Sequence, residues 1–575
     1  MPSSSGAWTA RLPKLLRHTF GLKALREGQH EVIARVMDGK PTLAVMPTGA
    51  GKSLCYQVPA ALLPGRTVVV SPLIALMKDQ CDKLVELGIP AVQLNSATDA
   101  AETARADESV LDGSARIVFT TPERLAEPSF LQVLGSHPVS LLVVDEAHCI
   151  SQWGHDFRPA FLEIGNALAE LGHPTLLALT ATATASVIED IGVQLGVPEL
   201  GVVNTGVYRP NLIYRVEQVA REEDKLTRAI EQVKAFDGPG IVYAATIKAT
   251  EAVHEALVAA GESATRYHGR LAAGERHANQ EAFMRGDARV MVATNAFGLG
   301  IDKLDTRFVL HYQMPSGLDA YYQESGRAGR DGEDAVCTLL FLHSDKAVQQ
   351  FFLTGRYPAL EDVDALYRAL QHTPPQPTGW TVDELVEALD RPETKVQVAM
   401  RLLRQQGVAM RDRDGRLRLT QEQLDGETIA TLVAAYQDKR EHDKAMLERM
   451  VFYGQTGRCR WKLLLDHFNE NEGFESCGRC DNCVRLATAA AVGEAPAQPD
   501  VPAPPSPHAP HAVGDRVQVR RYGLGHVIAA DAHTVTVRFD EGATRCFDAS
   551  FIKPARGIRR AAPRLPAGTI GITQE

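Results

Sequence analysis

Aromatic residues are scarce in this chain, at 6% of 575 positions, and no run of eighteen or more apolar residues occurs. The second absence excludes a spanning helix, since a bilayer needs about twenty consecutive apolar residues. A cationic excess is also missing. Lys and Arg number 61 against 71 Asp and Glu, a formal net charge of -10. That balance speaks neither for nor against a polyanionic partner, because binding depends on where the cations sit. Residues 513–575 carry ten Lys/Arg against six Asp/Glu, a basic end on an acidic whole. The nine cysteines are an odd number, and five of them (Cys55, Cys81, Cys149, Cys337, Cys546) are scattered. This argues against a disulfide framework and for a reducing compartment. The opening MPSSSGAWTARLPK has no apolar stretch behind its charges, so it does not read as a secretory signal. A cytoplasmic protein without membrane association is the expectation.

What is present fits a multidomain globular protein: 45% hydrophobic and 23% charged residues, on a length that suggests roughly three to five domains. Short apolar runs at 42–46, 67–71, 116–121, 140–146 and 175–182 are each followed by a helix-like stretch. Such Val/Leu/Ile runs read as strands of a parallel sheet buried on both faces. Runs at 240–245, 288–294, 306–312 and 335–341 repeat the plan. Two similar α/β layers in tandem are expected, 1–206 and 207–345. Within 346–425, two helical stretches and a strand pattern around an Asp-Gly turn outline a winged helix. A long helix then leads into clustered cysteines, giving a domain at 426–486. Residues 487–511 are almost all Ala, Pro, Gly and small polar residues, a flexible linker. Short alternating strands at 512–555 suggest a small β-barrel, and 556–575 form a basic tail.

MPTGAGKS (46–53) follows a strand and opens a helix, the context a phosphate-binding loop requires. Gly49 and Gly51 let successive amides point at phosphate oxygens, Lys52 can reach the β and γ phosphates, and Ser53 can ligate Mg²⁺. Met46 stands where the usual pattern has its first glycine, a departure that disfavours a kinase or small GTPase. DEAH (145–148) ends the apolar strand that starts near Ser140. There Asp145 would hold the Mg²⁺ shell and Glu146 would orient or deprotonate the attacking water. In YYQESGRAGRDG (321–332), Arg327 and Arg330 lie one helical turn apart and can face the same way. Guanidinium groups from a second layer stabilise charge on a transferring phosphoryl group. Two halves of one ATPase on separate layers imply a cleft that opens and closes.

From Phe20 to about Ser344 the chain resembles the RecQ branch of superfamily-2 helicases. LREGQ (25–29), VVVSPLIALMKDQ (68–80), FTTPERL (119–125), LALTATA (177–183), YHGRL (267–271) and ATNAFGLGID (293–302) carry the likeness in the family's order. The resemblance implies a fold of two tandem RecA-like domains. It places Arg26 and Gln29 on the adenine base, with Leu22 where the family has an aromatic. It adds Thr48, Ala50, Gly300 and Asp302 to the nucleotide contacts, and His148 and Gln323 to the catalytic set. CISQWGHDFRPAF (149–161), immediately after DEAH, resembles the family's aromatic-rich loop. Trp153 and Phe157 offer π-faces to bases in an otherwise aromatic-poor chain, and His155 and Arg158 supply hydrogen bonds and charge. Such stacking contributes about 1–3 kcal/mol per base and ignores sequence.

Cys459, Cys477, Cys480 and Cys483 form C-x17-C-x2-C-x2-C. Four thiolates match a closed tetrahedral, structural Zn²⁺ site, and the cluster also resembles the RecQ zinc-binding domain. The winged-helix pattern precedes the cysteines here, where the family commonly has it after them. Whether that segment takes DNA or protein stays open. Residues 513–542 resemble the Tudor-like barrel that ends UvrD-type helicases, which implies a protein partner such as RNA polymerase or a repair protein. The expected function is an ATP- and Mg²⁺-dependent 3′-to-5′ DNA helicase, a monomer acting on single-stranded and tailed duplex DNA. Its rivals are an RNA helicase, a translocase that does not unwind, and an ATP-gated adaptor.

Overall fold

The structure is a computed structural model. It describes residues 5–492, except 96–97, 99, 152–157, 298–302, 357–358, 373–378, 406, 412–415 and 421–425; beyond these it describes 515–519, 523–530, 534–539, 544–548 and 552–554. The chain divides into two units, Met1–Ala487 and Thr488–Glu575. No described helix is long and apolar enough to cross a membrane.

The first lobe is built on a seven-stranded sheet: β1 Thr42–Val45, β2 Arg66–Val70, β3 Ala91–Leu94, β4 Ile117–Thr120, β5 Val139–Val144, β6 Thr175–Thr180 and β7 Gly201–Asn204. Its order is β3-β4-β2-β5-β6-β1-β7, and every pairing is parallel. The central strands are buried on both faces, so their side chains alternate between two cores. Leu43, Val45, Val68 and Val70 join one core, while Ala44, Met46, Val69 and Leu141 join the other. This is why the central strands read as continuous apolar runs.

The second lobe repeats the plan with β8 Leu212–Gln218, β9 Gly240–Tyr243, β10 Ala264–Tyr267, β11 Val290–Ala293, β12 Phe308–His311 and β13 Ala335–Phe341. Its order is β10-β11-β9-β12-β13-β8, again all parallel. Two tandem RecA-like sheets are thus in place. One face of this sheet is closed by the lobe's own helices, through Val242, Val290, Phe308 and Leu310. The other is closed by the cysteine-bearing segment: Met450, Tyr453, Trp461, Leu464 and Phe468 share a core with Ile241, Met291, Val309 and Phe341. The Trp461 indole N–H donates to the Leu212 carbonyl at 3.0 Å, and its ring meets Tyr214 edge-on at 5.0 Å. Within the 426–486 domain drawn from sequence, residues from Leu447 to Cys483 share the hydrophobic core of the second lobe.

Between these parts lies a smaller body. Helices Val382–Leu389 and Glu393–Gln405 are followed by the antiparallel pair β14 Ala409–Arg411 and β15 Leu417–Leu419, with Trp380 bridged to Leu417. Its first helix starts at a capping box: Thr381 Oγ1 accepts from Glu384 N–H, and Glu384 accepts in return from Thr381 N–H at 2.7 Å. In the second unit, β16 Arg516–Val519, β17 Gly523–Ala530, β18 Thr534–Phe539, β19 Thr544–Asp548 and β20 Ile552–Pro554 form one antiparallel sheet in the order β19-β18-β17-β16-β20. Val517, Val527, Val537 and Phe539 are its buried side chains among the described residues.

Candidate active site and metal centre

The phosphate loop leaves β1 at its carboxyl end and turns into helix Leu54–Leu62. Gly49 (φ 89°) and Gly51 (φ 80°) both occupy the left-handed region, which a residue with a Cβ enters only under strain. Gly51 has a second reason to lack a side chain, because an added Cβ would meet Gln29 Nε2 at 2.7 Å. Gln29 is buried and donates from Nε2 to the carbonyls of Ala50 and Gly51 at 3.0 and 3.1 Å. It accepts from the Arg26 backbone N–H at 2.7 Å, and the Arg26 guanidinium donates to the Gly49 carbonyl. The two residues that the resemblance assigns to the base thus hold the phosphate loop's own backbone. Leu22 is exposed at 39%.

Lys52 donates to the Met46 carbonyl at 3.1 Å. Burial lowers its pKa, with the Glu146 and Asp145 carboxylates opposing that shift. Asp145 sits just past the end of β5 and is pushed up to about 7, first by burial and then by Glu146, against the pull of Lys52. It accepts from the Glu146 N–H at 3.1 Å, and Ser71 Oγ lies 3.5 Å away. The Asp145 and Glu146 carboxylates, set together beside Lys52 of the phosphate loop, offer oxygen donors, which is the chemistry Mg²⁺ takes. A divalent cation there would relieve the repulsion that raises Asp145. The fit has further support in Glu146 Oε2, a buried oxygen that makes no hydrogen bond of good geometry, with His148 Nδ1 3.3 Å away. Glu146 also carries φ 51° and ψ 48°, a left-handed backbone that costs a residue of its kind about 1–3 kcal/mol.

His148 is buried, and its Nδ1 stands 3.1 Å from Thr180 Oγ1 and 3.3 Å from Glu146 Oε2. The Thr180 hydroxyl has one proton and directs it to the Thr182 carbonyl at 2.9 Å. The histidine links Glu146, just past β5, to Thr180 at the end of β6. Arg158 N–H donates to the Cys149 carbonyl at 3.0 Å. Ser151 donates to Asp190 at 2.7 Å. Trp153, His155 and Phe157 lie outside the described residues, as do Gly300 and Asp302.

Helix Leu318–Ser325 and the turn after it bring the second lobe to this loop. An added Cβ on Gly49 would touch Arg330 Cγ at 3.6 Å, and one on Gly326 would touch Thr48 Cβ at 3.6 Å. Arg330 also bears on Lys52 electrostatically. Arg327 is 5% exposed, lies against the Tyr243 hydroxyl, and has a buried Nε without an acceptor in the structure. Gln323 is buried on the same helix.

The thiol sulfurs of Cys459, Cys477, Cys480 and Cys483 all lie within 4.8 Å of one another, and the Cys477–Cys483 pair is 3.9 Å apart. A tetrahedron with Zn–S bonds of about 2.3 Å has edges of about 3.8 Å, so the cage fits zinc. Backbone N–H groups of Cys477, Arg460 and Cys480 point at Cys459, Cys480 and Cys477 sulfurs at 3.3–3.4 Å, the outer-shell bonds that stabilise thiolates. All four positions are protein ligands, which makes the site structural.

The sequence matches three family descriptions in order: DEAD/DEAH box helicase over 26–191, helicase conserved C-terminal domain over 223–332, and RecQ zinc-binding over 417–484. It is 40% identical over 371 residues to the probable ATP-dependent DNA helicase RecS of Bacillus subtilis, covering 63% of this chain and 73% of that one. The chain belongs to the RecQ family. With the ATP-dependent DNA helicase RecQ of B. subtilis it shares 45% identity over 345 residues, 60% of this chain and 58% of that protein. It thus spans little more than half the length of that RecQ relative. Among solved structures, the DUF1998 helicase MrfA bound to DNA superposes with a TM-score of 0.50 at 19% identity, over 73% of this chain and 63% of that one. That likeness shows the fold alone. The RecQ family matches end at residue 484, before the C-terminal sheet.

The structure also brings to this RecQ-type site residues that the motifs do not name. Ser71 and Thr180 touch the acidic pair's surroundings, and both lie inside quoted family stretches. Arg209 and Asn211, on the segment between the lobes, hold the arginine turn by its backbone. For Arg209 the one signal the sequence offers is a charged side chain in a lobe-to-lobe connection, and for the neutral Asn211 it offers none.

Proposed function

We propose that the chain is an ATP- and Mg²⁺-dependent DNA helicase that moves 3′-to-5′ on single-stranded DNA and unwinds tailed duplexes in recombination or repair. The observation that carries this is the arginine turn of the second lobe lying against the phosphate loop of the first. Residues 48–53 would cradle the phosphates, with Lys52 on the β and γ groups. Ser53 and Asp145 would hold Mg²⁺, which when bound neutralises charge on those groups. Glu146 would orient and deprotonate the attacking water, and His148 would report its state to Thr180. Gln323, Arg327 and Arg330 would complete the site from the second lobe, joined by Gly300 and Asp302. Arg26 and Gln29 would read the base while holding the loop beneath it. Single-stranded DNA would stack on Trp153 and Phe157, with His155 and Arg158 at its backbone. We assign the protein to the isomerase-class helicases, acting in the cytoplasm at the nucleoid as a monomer. The sheet at 516–554 would take a protein partner, RNA polymerase or a repair protein.

Strand displacement on matched 3′-tailed DNA, 5′-tailed DNA and RNA duplexes tests the reading. Displacement of the 3′-tailed DNA that requires both ATP and Mg²⁺, and that Lys52→Ala abolishes, supports it. No displacement of that substrate by the unaltered protein refutes it.

A further inference from the structure

Residues 205–211 join β7 to β8, and they bond to both sides of the nucleotide cleft. At one end, Thr205 N–H donates to the Val45 carbonyl at 3.1 Å, on the strand that feeds the phosphate loop. At the other, Arg209 spreads its guanidinium over the arginine turn. Its Nη1 donates to the Gly326 carbonyl at 2.8 Å, and its Nη2 to those of Ala328 and Gly329 at 2.8 and 2.6 Å. These three carbonyls flank Arg327 and precede Arg330. Asn211 adds bonds to Gly329 and Glu333 carbonyls at 2.8 Å each. A rigid, planar five-donor fork fixes a backbone in a way that a lysine's single ammonium cannot.

The connection is itself braced by the zinc module. Glu470 accepts from the Val207 N–H at 2.6 Å and from Asn204 Nδ2 at 3.2 Å. Arg479, between zinc ligands Cys477 and Cys480, donates to the Pro210 carbonyl at 3.0 Å and pairs with Asp334 just past the turn. A continuous set of polar contacts therefore runs from the cysteine cage, through the connection, to the arginines at the phosphate loop.

We propose that Arg209 is a positioning residue for ATP hydrolysis: it acts through Arg327 and Arg330 by fixing the turn that carries them. This rests on the ATPase reading given above. Misplacing a catalytic group by an ångström costs about 10²-fold in rate. Arg209→Ala is therefore expected to lower kcat for DNA-stimulated ATP hydrolysis about 10²-fold. KM for ATP, zinc content and melting temperature should stay near those of the unaltered protein.

The deciding measurement is a double-mutant cycle on kcat with Arg330→Ala. If Arg209 acts through the arginine turn, the double variant is scarcely slower than Arg330→Ala alone. Losses that multiply in full would overturn the proposal, as would an unchanged kcat in Arg209→Ala. Where Arg209→Ala folds poorly, Arg209→Lys serves in the same cycle, because it keeps charge and stem but cannot span three carbonyls. Strand displacement is measured alongside. Its absence in a protein that hydrolyses ATP would sink the helicase reading, while the cycle still decides on Arg209.

Discussion

Lys225 and Asp345 form an ion pair in the interior of the second lobe, and removing the cation alone should be costly. Lys225 is 0% exposed and Asp345 3%, with Nζ to carboxylate distances of 2.8 and 2.7 Å. The ammonium also lies 4.8 Å from the Tyr312 ring centroid, and the carboxylate accepts from Met314 N–H at 3.1 Å. The pair ties helix Glu222–Ala235 and helix Asp345–Arg356 to the segment that leads into the Gln323 helix. In Lys225→Met, Asp345 keeps one backbone donor and loses its counter-charge. Breaking a buried pair in this way costs about 3–5 kcal/mol. At about 1.4 kcal/mol per factor of ten, amides of β12 and β13 that exchange by opening of this lobe should exchange roughly a hundred to several thousand times faster. Hydrogen exchange read by mass spectrometry on those two strands measures it.

The sign of the pH dependence follows from the carboxyl. Burial raises the Asp345 pKa, and Lys225 is the main group opposing that shift. Without Lys225 the folded-state value rises further above the unfolded one. Stability is then fully present below the unfolded carboxyl's pKa and is lost as the pH climbs toward the folded value. The deficit should therefore be larger at pH 8 than at pH 5. Adding Asp345→Asn, which removes the charge but keeps an acceptor for Met314, should restore most of the loss. A deficit under about 1 kcal/mol, or one equal at both pH values, would refute the account of an uncompensated buried charge.

Arg330→Ala should reduce kcat for ATP hydrolysis by about 10³-fold or more while leaving single-stranded DNA affinity within a few-fold, measured by steady-state hydrolysis and fluorescence anisotropy. Cys480→Ser should release zinc, measured by atomic absorption. Because that cage shares a core with the second lobe, exchange should also quicken in β8 and β13.

Local chemistry was legible along the chain because each motif needs only near neighbours. The phosphate loop, the DEAH strand end, the arginine turn and the four cysteines declare themselves by residue type and spacing. The five runs of the first lobe and four of the second correspond to its central strands, where burial on both faces leaves an uninterrupted apolar signature. The strands not read from sequence are β3, β7, β8 and β10, and all four lie at sheet edges. A strand paired on one side only tolerates polar residues such as Gln93, Asn204, Arg215 and Arg266, so its pattern sinks into the surrounding loops.

Tertiary structure decided what these pieces do to one another. Arg26 and Gln29 read as base contacts, and the fold adds that both bond the phosphate loop's backbone, because a long polar side chain bonds whichever carbonyl the fold brings near. Nothing in the spacing of Trp461, Tyr453 and Phe468 says that they close the core of a sheet more than a hundred residues earlier. Nor does any motif tell that Arg209 grips the turn bearing Arg327 and Arg330, a contact across more than a hundred positions. A sequence thus fixes which groups can do chemistry, while chain topology sets which of them meet, since partners distant in sequence become neighbours only when the sheets have formed.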